Sequence, residues 1–154
     1  MKQVLMLVVA MLGVALITGS VTQGSPDLAG PGMIRITSRD TDVIVDNRGP
    51  SSRGAGDVMV ITQLLFNKGI TKQAIGHADL VCTYTGRRSR QCSGTYFLPR
   101  GKIVVAGSLR YREFFKLAVV GGTDLYNNVR GSVSGTLLGR GPRREILVFR
   151  LLIT

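Results

Sequence analysis

The stretch Leu117–Val133, LAVVGGTDLYNNVRGSV, restricts the fold more than any other part of the chain. Four apolar residues, Leu117 to Val120, run into two adjacent glycines. A polar bend with Tyr126, Asn127 and Asn128 follows, and Val129, Arg130 and Gly131 open a new alternating segment. Paired glycines at the end of an apolar run permit positive φ and close backbone approach, so the stretch reads as strand, sharp turn or bulge, strand. A phosphate-binding glycine loop needs a helix after it. Asn127, Asn128, Val129 and Gly131 are poor helix formers, and the hairpin reading wins.

The same punctuation recurs along the chain. Twenty glycines, no tryptophan and many short apolar runs broken by Gly, Asn or Asp favour an all-β fold. Met33–Thr37 and Asp42–Asp46 alternate with period two, as half-buried strands do. Further strands are predicted from Asp57 towards Phe66, over Ala74–Tyr84, Gly94–Leu98, Lys102–Ala106, Tyr111–Val120 and Arg130–Leu138, and over Glu145–Ile153. Asn67-Lys68-Gly69 and Pro99-Arg100-Gly101 supply turn chemistry between them. Asn47–Gly56 is the longest loop signal inside the domain, either an idle connection or a mobile rim. No segment after the N-terminal apolar run carries a helical stripe. About eight strands in meander order remove their edges best by closing, which predicts an all-β, eight-stranded antiparallel up-and-down β-barrel. Its interior is filled by side chains or holds one small ligand. Ile146–Phe149 and Leu151–Ile153 are apolar on both faces, so an oligomer that covers the outer wall is expected.

At 154 residues the chain has room for one domain. Met1-Lys2 followed by the apolar run Val4–Ile17 predicts a secretory signal over 1–24, then a linker over 25–32 and the barrel domain over 33–154. The apolar run is short for a transmembrane helix, which needs about 20 residues; an uncleaved anchor is the alternative. The predicted location is therefore extracellular.

The net charge of +11 raises encounter rates with anionic partners without choosing among nucleic acid, anionic lipid and acidic polymers. Few aromatics and the expected export speak against nucleic acid. An anionic surface remains a further partner. Cys82 and Cys92, the only cysteines, flank TYTGRRSRQ. In an exported chain they predict a disulfide across the base of a hairpin, contributing about 2–3 kcal/mol. Arg87, Arg88 and Arg90 then sit at its tip, solvated or touching an anionic surface. The lone His77 has no second ligand of matching spacing, so no metal site is expected. It also has no nucleophile partner in a recognisable motif and reads as a rim or surface histidine.

From Gly56 to the end, the order GD, VCT, QCSGTYFLPRGKIVVAG, FKLAVVGGT and VRGSV resembles the dirigent and allene oxide cyclase barrel family, most of all its small exported bacterial members. The resemblance implies an eight-stranded antiparallel barrel with a central hydrophobic pocket, commonly a homotrimer, with no metal or organic cofactor. It also implies an activity. Such a barrel binds a small hydrophobic or phenolic molecule and steers its cyclisation or stereoselective coupling by confinement and orientation. A few pocket polar groups handle developing charge or a proton. A non-catalytic barrel that carries a ligand or binds an anionic surface is the alternative.

Carried over position by position, the resemblance makes Asp124 and Arg130 a pocket acid and its cationic partner. Asp124 stands where the family continues GGT with glycine; a turn aspartate and a solvated arginine are the plain alternative. Asp57 falls on the acidic residue that opens the strand after the long loop, as a further pocket acid or a turn cap. Tyr84, Tyr96 and Tyr126 line the pocket and offer hydroxyls, or simply pack. Around Asn47-Arg48-Gly49 the glutamate of the cyclase loop is missing, and Val58–Ile61 lacks the proline of the plant enzymes. Strict allene oxide cyclase activity is therefore not expected.

Overall fold

A computed structural model describes residues 32–50, 53–67, 73–110 and 114–153. The predicted signal and most of the linker lie outside these residues, as do the turn positions Lys68 and Gly69 and the predicted strand start at Tyr111. Eight strands follow one another: β1 (Met33–Asp46), β2 (Val58–Asn67), β3 (Gly76–Gly86), β4 (Ser89–Leu98), β5 (Gly101–Arg110), β6 (Phe114–Gly122), β7 (Val129–Arg140) and β8 (Arg143–Ile153). Each pairs antiparallel with its sequence neighbour, and β8 returns to β1, so the sheet is a closed barrel. Closure removes both edges, as the meander pattern predicts.

Period-two alternation places one side of every strand inside. Leu65, Ala78, Ile103, Val105, Val133 and Phe149 are fully buried there. Phe149 meets Tyr96 edge-on, with ring centroids 5.0 Å apart. The edge-to-face arrangement suits two aromatic quadrupoles.

Met33–Thr37 and Asp42–Asp46 prove to be two halves of one 14-residue strand. Polar Ser38 to Thr41 joins them, which is why they read as separate. A bulge between Asp40 and Asp42 resets the alternation, and Val43 and Val45 turn back towards the interior. The β1–β8 ladder stops at Arg39↔Arg144, while the β1–β2 ladder runs on to Asp46↔Val58. The last part of β1 is thus bonded along one edge.

In the stretch Leu117–Val133, β6 ends at Gly122 and a single 3-10 turn, Asp124–Tyr126, connects it to β7. A Cβ on Gly122 would stand 2.6 Å from the Lys102 carbonyl oxygen, so only glycine fits there. Asp124 and Asn128 take positive φ of 54° and 58°, a region that Asp and Asn tolerate better than other side chains. Cys82 and Cys92 are direct β3–β4 partners and form a disulfide, both side chains buried inside the barrel. The bridge lies midway along the hairpin, not at its base.

Candidate functional site

Inward side chains fill the middle of the barrel and leave a cavity at each end. Towards the end formed by the β1–β2, β3–β4, β5–β6 and β7–β8 connections lies a cavity of about 230 Å³. Met59, Ile61, Leu80, Leu109 and Phe115 supply apolar wall, and Cys82 of the disulfide adds to it. Among them stand Asp40, Gln63, Arg90, Tyr96, Arg143 and Glu145. Val43, Val45, Tyr84 and Arg53 complete the lining.

The polar residues are there because their strands carry them at inward positions. Asp40 and Gln63 are direct partners across β1 and β2, immediately before the bulge. The Gln63 amide nitrogen donates to Asp40 Oδ1 at 2.7 Å and reaches Glu145 Oε2 at 3.5 Å. Arg143, two residues before Glu145 and so on the same side of β8, donates to Glu145 Oε1 from Nε at 2.9 Å and from Nη2 at 2.7 Å. Its Nε lies 4.0 Å from Asp40 Oδ2. One amide and one guanidinium thus hold two carboxylates in a nearly dry place, since Glu145 is only 4% exposed.

Burial disfavours the charged form of Asp40 and raises its pKa above the ordinary 3.8. The Gln63 hydrogen bond pulls the other way, and the nearby Glu145 charge adds to the rise. Burial also lifts the Tyr96 phenol far above its ordinary value, with the Glu145 and Asp40 charges adding to the effect. Tyr96 therefore stays a neutral hydroxyl, a hydrogen-bond donor and acceptor and not a phenolate base. Among the described residues, Tyr96 Oη, Gln63 Oε1 and Ser38 Oγ are buried without a hydrogen-bond partner. An unmatched buried hydroxyl costs about 1–3 kcal/mol. Two of these three atoms belong to residues that line the cavity, where a bound molecule can satisfy them. Among the described residues no group of three or more His, Cys, Asp or Glu side chains is placed to hold a metal ion.

A second cavity, about 450 Å³, opens at the opposite end. Ile34, Ile75, Leu98, Leu125 and Tyr126 line it, with Arg35 and Arg100 at hand. Burial raises the Tyr126 phenol there as well.

The residues singled out from the sequence are thus dispersed. Tyr84 and Tyr96 line the first cavity and Tyr126 the second. Asp57 is 1% exposed but lines neither. Its two carboxylate oxygens accept the backbone N–H groups of Arg48 and Gly54, both at 2.8 Å. Its own carbonyl accepts Tyr84 N–H, so it fastens the β1–β2 loop, which carries Arg53, to the end of β3. Asp124 and Arg130 are exposed and line neither cavity. Asp124 accepts from the Thr123 hydroxyl at 2.8 Å, and the Arg130 guanidinium donates to the carbonyls of Val120 and Val129. An acid with a cationic partner does occur inside the barrel, but it is Glu145 with Arg143. His77 is exposed and stacks on Phe97, with ring centroids 4.3 Å apart.

Asp40, Gln63, Arg143 and Glu145 were missed because each reads as ordinary strand material. The signal was there: Gln63 sits between Ile61 and Leu65, and Glu145 two residues before Leu147, each a polar residue at an apolar parity.

By sequence, no family profile and no curated protein matches the chain. By structure, several solved proteins do. A pyocyanin demethylase aligns with a TM-score of 0.68 at 18% identity, over 78% of this chain and 99% of its own. A pterocarpan synthase dirigent protein aligns at 0.60 and 13% identity, over 77% of this chain and 81% of its own. The Diels Alderase AbmU from Streptomyces koyangensis aligns at 0.63 and 16% identity, over 78% of this chain and 64% of its own. At such identities the likeness concerns the backbone: this chain has the closed eight-stranded barrel fold that dirigent and cyclase-type proteins share.

Proposed function

We propose that the barrel binds a small hydrophobic or phenolic molecule in the 230 Å³ cavity and steers its cyclisation or stereoselective coupling. The observation that carries this reading is Tyr96, a fully buried hydroxyl without a partner on the wall of a cavity where an apolar side meets a cluster of charged groups. An apolar wall with a few converging polar groups is the usual make-up of a small-molecule site. The wall restricts the conformations of the bound molecule, and that restriction selects one ring closure or one coupling face. Tyr96 donates to a carbonyl or phenolic oxygen of the ligand. Asp40, whose raised pKa brings it closer to neutrality, takes up or returns a proton. Glu145, held by two hydrogen bonds from Arg143, is fixed in place beside them. The structural neighbours support the reading in kind: they include dirigent, cyclase and demethylase proteins that act on small organic molecules.

The Cys82–Cys92 bridge favours an oxidising, extracytoplasmic setting. A homotrimer is supported by one row of the outer wall, where Val81, Ser93, Ala106, Ala118 and Ser132 stand side by side in register across β3 to β7. These small side chains permit close approach of another copy.

Native mass spectrometry of the protein purified without denaturation from its own host tests the reading. A discrete small-molecule adduct is expected on the native protein and absent from Leu109→Trp, which fills the cavity. A wild-type protein with no adduct, or an adduct indifferent to Leu109→Trp, overturns it.

A further inference from the structure

We propose that the outer wall formed by β7, β8 and the first half of β1 docks the barrel on an anionic lipid bilayer. The inference is independent of what the cavity binds. The register of three neighbouring strands lays out this wall row by row. Arg130 stands beside Leu152; Arg150 and Met33 form the next row; Val148 and Arg35 the third, next to the buried Ser134; Thr136, Ile146 and Thr37 the fourth. Arg144 and Arg39 close the series as direct cross-strand partners. Among the described residues of these three segments the one carboxylate is Glu145, which points into the barrel and is 4% exposed.

Two features of this wall are costly in isolation. Like charges directly opposite on neighbouring strands destabilise a sheet, and Arg39 faces Arg144; the Phe66 ring, 5.3 Å from the Arg39 guanidinium, offsets only part of that cost. Met33 and Leu152, 65% and 67% exposed, are the most exposed large apolar residues described. Each stands beside an arginine, Met33 next to Arg150 and Leu152 next to Arg130. A second copy of the same wall would set arginine against arginine, so self-association does not relieve the charge. A soluble polyanion would neutralise the arginines but leave Met33 and Leu152 in water. A bilayer with anionic headgroups answers both: phosphates pair with the guanidinium groups, and the two apolar side chains enter the acyl boundary. The chain also enters the barrel at this end, where Gly32 bonds to Leu151, after the apolar run Val4–Ile17. The contact is with a surface and not a span, because the opposite walls turn Asp79, Lys102 and Lys116 outwards, which interrupts any lipid-facing apolar band.

The test uses the full chain with an environment-sensitive fluorophore on Leu152→Cys, and a control label on Val104→Cys at the far wall. Phosphatidylcholine vesicles with phosphatidylglycerol should blue-shift the Leu152→Cys label and leave the Val104→Cys label unchanged. Phosphatidylcholine alone should shift neither. Reversing charge with Arg35→Glu and Arg150→Glu should weaken vesicle binding at least about tenfold, whereas Arg35→Lys with Arg150→Lys should retain it. High salt should release the unmodified wall in the same way, which keeps the test decisive if the reversed variant does not fold. A Leu152→Cys label that stays at its aqueous emission with phosphatidylglycerol vesicles overturns the proposal. So does an equal shift at both walls, a shift that survives charge reversal, or retention on soluble polyphosphate without any shift on vesicles.

Discussion

Gln63 and Asp40 face each other across β1 and β2 one step before the β1 bulge, and the Gln63 amide donates to the Asp40 carboxylate at 2.7 Å. A hydrogen bond to the charged form favours that form, so Gln63 partly offsets the upward push of burial on Asp40. A raised folded-state pKa means that the folded protein holds the proton more tightly than the unfolded chain. The stabilisation from Asp40 is therefore full below its ordinary value of 3.8 and is lost as pH rises through the raised value. Asp40→Asn should flatten this part of the pH–stability curve, and Gln63→Met should move the Asp40 titration further upward. Urea midpoints across the acidic range and a carbon NMR titration of Asp40 check the two outcomes.

Tyr96→Phe should stabilise the ligand-free protein by about 1 kcal/mol, because it removes a buried hydroxyl that has no partner. The same change should weaken binding of any ligand that accepts the Tyr96 hydrogen bond. Denaturation of the two proteins measures the first effect, and the fraction of adduct in native mass spectra the second. A variant less stable than the wild type would show that the hydroxyl has a bonding role in the empty barrel.

The Phe115 ring lies over its cross-strand partner Gly135, in the space that a Cβ would occupy. Gly135→Ala must therefore displace the ring, and Phe115 lines the first cavity. A loss of about 1–3 kcal/mol is expected from the overpacking, together with an altered cavity volume. Urea unfolding and a crystal structure of the variant check both. An unchanged ring position would refute the claim that this glycine is required for packing.

Replacing Cys82 and Cys92 by alanine should lower stability by about 2–3 kcal/mol, the loop-closure effect of a bridge across a short segment. Because both side chains are buried inside the barrel, reductant alone should act slowly on the folded protein. Unfolding midpoints of the variant and thiol-trapping of the native protein with and without urea measure these two effects.

The barrel was legible from the sequence because its physical cause is local. Runs such as Ile103-Val104-Val105 beside Pro99-Arg100-Gly101 carry both the alternation and the turn. The single strand β1 was not, because Ser38 and Asp40 are polar at positions that turn out to face inwards. That departure is also the trace of the site. Asp40, Gln63 and Glu145 sit on three different strands, and only barrel closure brings β8 beside β1. Tyr84, Tyr96 and Tyr126 could be singled out as aromatic hydroxyls fit for a pocket, but not the end of the barrel at which each stands. Asp124 and Arg130 came from motif position, which fixes where they lie along the chain but not whether they face a cavity, and both stand exposed outside the two cavities.

The early end of the β1–β8 ladder at Arg39↔Arg144 has a consequence for what the barrel can accept. Beyond that rung the backbone register between β1 and β8 ends, and the Arg143 guanidinium, 4.0 Å from the Asp40 carboxylate, links the two strands instead. This stretch of wall is a latch of two side chains rather than a continuous sheet. On the function proposed above, a molecule larger than the 230 Å³ cavity has to part that latch to keep one end against Tyr96.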